Sequence, residues 1–152
     1  MQISEVYRRG KLILIDAMSR TVDGFWISSP PYLVLDVTAS PEEVGAALAQ
    51  ALAGSRQGVP NPPVRNAPSP IQPLLELAGV KSWNTFVKGA SLVLVEQEKR
   101  SVVFKPHRNR GARQGFEEFQ PETPLTVAPG DTGALGRQLL AALDRADESV
   151  QA

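Results

Sequence analysis

His107 is the only imidazole in this 152-residue chain, and its neighbours decide what chemistry it could do. In Lys105-Pro106-His107-Arg108-Asn109-Arg110 it stands among cations, which disfavour a second positive charge, and no carboxylate is at hand to orient the ring as a general base needs. The segment predicts a solvated or loop-anchoring histidine. Carboxylates occur as the adjacent pairs Glu42-Glu43, Glu117-Glu118 and Asp147-Glu148, yet nothing in their spacing sets two acids across a substrate or a metal. Glu42 and Glu43 are accounted for by a helix N-terminus, where negative charge is favourable. The phosphate, dinucleotide, zinc-protease and acyl-transfer motifs are all missing. Zero cysteines remove disulfides, thiolate metal sites and a thiol nucleophile, and one histidine removes His-rich zinc sites. The chemistry on offer is binding, with no catalytic residue, metal or cofactor expected.

Charge is where the chain becomes specific. Sixteen basic and sixteen acidic residues cancel overall, so no attraction of the whole molecule to a polyanion is expected. Along the chain they segregate: residues 99–113 hold Lys99, Arg100, Lys105, Arg108, Arg110 and Arg113 with no acid, while 114–152 hold two basic and seven acidic residues. Such blocks steer association with a protein partner. The acidic candidates are Glu117, Glu118 and Glu122, then Asp144, Asp147 and Glu148; the basic candidates are led by Arg108 and Arg110. The alternative is an RNA-binding or ribosome-associated module using the strip 99–113. It is short of stacking aromatics, with Phe104 inside and Phe116 and Phe119 after it.

The elements that must position these side chains read as an α+β domain spanning residues 1–152: a mostly antiparallel twisted sheet of five or six strands, two main helices packed on it and a short third. The first 37 residues read as strands, with Lys11 to Met18 apolar and Asp23-Gly24 as a two-residue hairpin turn. Phe25 to Ile27 return, Pro30-Pro31 break the strand for want of N–H groups, and Tyr32 to Val37 resume it. Ser40-Pro41-Glu42-Glu43 is a capping box opening a helix with the stripe Val44, Ala47, Leu48, Ala51 and Leu52, and Gly54 is its left-handed stop. Residues 55–73 form a proline-rich loop expected to lie against the surface, followed by a short apolar helix from Leu74 to Gly79. Ser91 to Glu96 and Ser101 to Lys105 form a central hairpin around the four-residue turn 97–100. Pro124 to Val127 form an edge strand, and a last helix buries Leu135, Leu139, Leu140, Leu143 and Ala146 while Arg137, Asp144, Arg145, Asp147 and Glu148 mainly face water. Trp26 and Trp83, each beside apolar residues, are expected in the core. The longest apolar runs are far too short to cross a bilayer or serve as a secretory signal, so a cytoplasmic location is expected.

Thr21-Val22-Asp23-Gly24-Phe25-Trp26-Ile27-Ser28-Ser29, then Leu74-Leu75, Gly79-Val80-Lys81-Ser82-Trp83 and Phe86-Val87-Lys88, resemble the immunity proteins of bacterial contact-dependent growth inhibition systems. The likeness runs on through the hairpin to Lys105-Pro106 and Gly115-Phe116. It implies a cytosolic, non-enzymatic protein that binds and blocks the C-terminal toxin domain delivered by a neighbouring cell, commonly a nuclease. It brings no catalytic residue with it. If the toxin cleft is basic, as a polyanion-binding cleft must be, Glu117, Glu118 and Glu122 are the first residues to test as its counterpart.

Overall fold

The computed structural model describes residues 1–63, 68–119 and 125–151, with only the backbone for Leu125 and 148–151. Eight strands and four helices follow in the order β1 (Gln2–Arg9), β2 (Leu12–Thr21), β3 (Trp26–Asp36), α1 (Pro41–Gly54), β4 (Gln57–Val59), α2 (Gln72–Ala78), α3 (Trp83–Val87), β5 (Ala90–Glu98), β6 (Ser101–Asn109), β7 (Phe116–Glu118), β8 (Leu125–Val127) and α4 (Thr132–Gln151). The sheet runs β3-β2-β1-β5-β6-β7, with β4 against β2 and β8 against β6. Every pairing is antiparallel except β2 with β4. This is the expected α+β architecture, with β5 of the second hairpin near the middle. None of the described helices is long and apolar enough to cross a membrane.

Alternation along β1 and β2 sends side chains into two separate apolar layers. Val6, Ile13 and Ile15 pack with the stripes of α1 and α4 on one face, while Tyr7 and Leu14 pack with Leu74 and Leu75 of α2 and Phe86 of α3 on the other. A strand covered on both sides cannot be polar on alternate residues. That explains the near-continuous apolar run of β2, and it makes any charge inside these strands conspicuous.

The helix layer is held by backbone approach. A Cβ on Gly45 of α1 would overlap the carbonyl oxygen of Thr132, and one on Gly136 of α4 would overlap that of Pro41. The two glycines let the helices touch main chain to main chain. At the start of α1 the Ser40 hydroxyl accepts from the Glu43 amide at 3.2 Å. It also donates to the Glu43 carboxylate at 3.3 Å, so the box closes through the side chain and not back onto the Ser40 amide.

Several local expectations are corrected. Strand β3 does not break at Pro30-Pro31, which are joined by a cis peptide. It is an edge strand, and its register with β2 shifts between Asp16 and Ala17, so the two prolines are not asked for ladder donors. Gly54 is not a left-handed stop. It closes α1, where a Cβ would lie 2.5 Å from Pro31 Cδ, so it is small to clear the prolines. Of Asp23-Gly24 only Gly24 has positive φ, and the β2–β3 turn spans Val22 to Phe25. The β5–β6 turn is just Lys99-Arg100, with Lys99 at φ 51°. At its other end β6 runs past the expected stop at Lys105 to Asn109, so His107 and Arg108 also stand on a strand. The proline-rich segment begins with β4 and is tied down later by Tyr32, whose hydroxyl donates to the Pro70 carbonyl at 2.6 Å.

Alanine at position 45 provides the test of the helix layer. Intrinsic propensity alone would stabilise α1 by about 1 kcal/mol. Overlap with a backbone carbonyl should reverse this, leaving Gly45→Ala about 2–3 kcal/mol less stable by urea unfolding; a variant at least as stable as wild type would contradict the close approach.

Candidate functional site

The charged residues singled out above converge on two places. At the β6–β7 edge, Arg108 pairs in register with Glu117 and His107 with Glu118. Successive residues of a strand point to opposite faces, so Glu117 and Glu118 do not form one acidic patch. Glu117 accepts from Arg110 at 3.1 Å, whereas Glu118 lies 3.8 Å from Lys105, whose ammonium is also 2.9 Å from Glu96. Those carboxylates hold the Lys105 ammonium above its ordinary pKa, the hydrogen bond to Glu96 contributing most. The Arg108 guanidinium sits 5.8 Å from the centre of the Phe119 ring, with its Nε buried and unpartnered. The edge is therefore a mixed-charge ribbon. Its remaining exposed cations, Lys99 and Arg100 at one end of β6 and Arg113 beyond the other, are separated by about 30 Å of strand. That is not the continuous positive surface an RNA strand would follow. His107 Nδ1 lies 2.8 Å from the carbonyl of Lys105.

Asp144 and Asp147 are brought to Arg8 at the end of β1. Arg8 donates to Asp144 at 2.8 Å and also to Asp147, which in turn accepts from Ser91 of β5. Asp147 is thus half-buried and joins α4 to the two central strands, and does not mainly face water. Glu122 and the side chain of Glu148 lie outside the described residues.

A third constellation was missed by reading along the sequence. Glu5 of β1 and Asp16 of β2 are direct cross-strand partners, on the face that also carries Tyr7. Above them opens a cleft of about 420 Å³ lined by Glu5, Tyr7, Met18, Trp26, Ser28 and Trp83, with Ser69 to Ile71 at its rim. Both tryptophans of the chain are in its wall and half-buried: Trp83 packs against the Tyr7 layer of the core, in line with expectation, whereas Trp26 is not packed into either core layer. Trp83 belongs to an aromatic cluster with Tyr7, Phe86 and Phe116, the last at 6.2 Å between ring centres. Phe116 is on β7, so the cleft and the charged ribbon are neighbours.

The acid pair is electrostatically unrelieved. Glu5 accepts from the Tyr7 hydroxyl at 3.0 Å and from Ser28 at 3.3 Å. Asp16 is fully buried, and neither of its carboxylate oxygens makes a hydrogen bond. Burial first, and then the charge of Glu5, pushes the Asp16 carboxyl well above the usual range, outweighing the nearby Ser28 hydroxyl and backbone amides. Burial likewise raises Glu5 against the bonds from Tyr7 and Ser28. Tyr32, opposite Asp16 on β3, is pushed up to about 12 by burial and by that same acid. Among the described residues, no lysine or arginine acts on either carboxyl. The signal available in the sequence was two lone acids, Glu5 and Asp16, inside strands otherwise apolar or lightly polar; what it lacked was the register that sets them face to face.

No family model matches the chain, and neither does any curated protein sequence. Solved structures do match its fold. A Neisseria meningitidis protein of unknown function is similar with a TM-score of 0.75 at 18% identity, over 95% of this chain and 94% of that one. A chain of the CdiA-CT/CdiI toxin and immunity complex from Yersinia pseudotuberculosis is similar with a TM-score of 0.73 at 15% identity, over 95% and 96%. At these identities the likeness is one of fold.

The buried pair makes a signed prediction about stability. Acids whose folded pKa is raised bind protons more tightly folded than unfolded, so their contribution is most favourable below about pH 4 and is lost as pH rises through the raised folded values. Asp16→Asn, which removes one of the two acids and supplies a donor to Glu5, should be about 1–2 kcal/mol more stable than wild type at pH 8. The difference should vanish near pH 4. Thermal unfolding of both proteins across that range is the measurement; an Asn variant less stable at pH 8 would show that Asp16 is satisfied.

Proposed function

We propose that this chain is an immunity protein, which binds the C-terminal toxin domain of a contact-dependent growth inhibition effector and blocks it in the cytosol of the cell that makes both. The observation that carries the reading is the fold shared along nearly the whole chain with a component of a toxin and immunity complex. The resemblance of residues 21–29 and 74–88 to immunity proteins supports the inhibitor half of such a pair over the toxin half. The proposed target is a nuclease, whose basic cleft would be met by acidic side chains.

The proposed contacts are Glu117, Glu118, Arg108 and Arg110 on the β6–β7 ribbon, with Asp144 and Asp147 supporting α4 behind it. Alternating signs on an exposed edge suit recognition of one partner, because a displaced register sets like charges together. Inhibition by occupation requires no catalytic residue. An interface of the standard size, about 1,600 Å² in total, suffices for very tight binding if its centre is well packed.

Co-expression tests the reading. The toxin domain encoded immediately upstream should arrest growth alone and be silenced by this chain, which should itself be harmless; growth arrest by this chain alone, or no rescue and no complex on co-purification, would overturn it. For the ribbon, the double change Glu117→Lys with Glu118→Lys should slow association with that toxin domain by about tenfold or more at low salt. Its unfolding midpoint should stay close to that of wild type, because the ion pairs replaced are exposed. Binding kinetics at two salt concentrations would check both the rate and its screening.

A further inference from the structure

We propose that the cleft between Trp26 and Trp83 is a receptor for an arginine side chain of the bound toxin domain, with Glu5 and Asp16 as its counter-ions. This deepens the immunity reading and rests on it for the source of the guest.

The chemistry of the cleft is that of a cation host. Two indoles and a phenol line a space of about 420 Å³, within the range of sites that enclose small groups. Indole faces attract cations, arginine above all, because a planar and weakly hydrated guanidinium can stack on a ring while its edge donates to a carboxylate. At the base of the same face lie Glu5, which lines the cleft, and its cross-strand neighbour Asp16, fully buried, whose two oxygens make no hydrogen bond although the Ser28 hydroxyl and the backbone amides of Glu5 and Asp16 are near. A buried carboxyl left without a partner costs stability unless a partner arrives. Other charged side chains of the sheet do find counter-ions within the chain: Arg8 has Asp144 and Asp147, Lys105 has Glu96 and Glu118, and Arg110 has Glu117. Among the described residues the acid pair has none.

Position argues for a side chain of a protein over a free metabolite. Trp83 is packed edge-on to Phe116 of β7, so the cleft continues the surface proposed to meet the toxin. A nuclease cleft is itself a source of arginines. On entry the guanidinium replaces the protons that the pair holds, and these leave to solvent. Binding should therefore tighten as pH rises; among the described residues Glu5 and Tyr7 are the titratable groups that line the cleft, with Asp16 beside Glu5 and Tyr32 beside Asp16 on the neighbouring strands.

Because both tryptophans are in the wall, intrinsic fluorescence reports occupancy. Titration with N-acetyl-arginine-N-methylamide should give a saturable change in emission, and the neutral citrulline analogue should be at least about tenfold weaker. Asp16→Asn and Glu5→Gln should each lose that preference while remaining folded by circular dichroism. Equal response to arginine and citrulline, or an undiminished preference in both variants, overturns the receptor. Agmatine saturating at a concentration a hundredfold below the blocked arginine would assign the cleft to a free small cation and overturn the protein source. With the purified toxin domain, the two variants should dissociate about tenfold faster or more, at little change in association rate. Unchanged dissociation overturns the link to the toxin. A wild-type chain that takes the arginine amide yet binds no toxin overturns the immunity reading and leaves the cation site standing, so the two failures can be told apart.

Discussion

Burial of the central strands on both faces is the constraint from which the rest of this structure follows. β1 lies between β2 and β5, and its alternate residues feed two apolar layers at once, Val6 toward α1 and α4 and Tyr7 toward α2 and α3. One layer is built from two regular helices whose glycines allow main-chain contact. The other is a patchwork of two short helices, an aromatic cluster and a proline-rich segment. The first buries its face under the stripes of α1 and α4. The second stops short over Glu5, and there the fold leaves a cleft.

That difference between the layers is also a difference in what each can do. A close-packed helix pair has little freedom to accept a guest, since interiors at crystalline density have no spare volume. The patchwork face is polar at its opening, where Glu5, Ser28 and Ser69 stand beside the two tryptophans, with Asp16 buried next to Glu5. Natural sequences tend to break the local rules of stability where a partner is to be met. An unpaired carboxyl between two buried strands breaks one of them plainly.

The charge blocks behave differently from what their order along the chain suggests. Basic residues 105–110 and acidic residues 117–118 become adjacent strands and pair across the ladder, so neither block survives as a field of one sign. Asp144 and Asp147, distant from both, fold back onto Arg8 and fasten the last helix to β1. What reaches solvent is a ribbon of mixed charge beside an aromatic cleft. Such a surface is selective for one partner, where a single-signed field would attract many.

Much of the fold was legible in the residues. Hydrophobic period and cap chemistry located α1, α2, α4 and most of β2, β5 and β6, because these signals are local: Ser40 caps Glu43 three residues on, and the stripe of α4 repeats every three or four. Pro30-Pro31 was misread because a proline's cost depends on whether its strand is at an edge, a fact held by the neighbours and not by the proline. The cleft was illegible for a related reason. Glu5 and Asp16 are eleven positions apart, and only the register of β1 on β2 sets them face to face, while Trp26 and Trp83, more than fifty positions apart, come to one cleft through strand pairing and packing. Residue types by themselves determined a cysteine-free α+β protein; long-range pairing, which alone decides what each charge finds opposite it, settled which of the described acids meet a counter-ion and which do not.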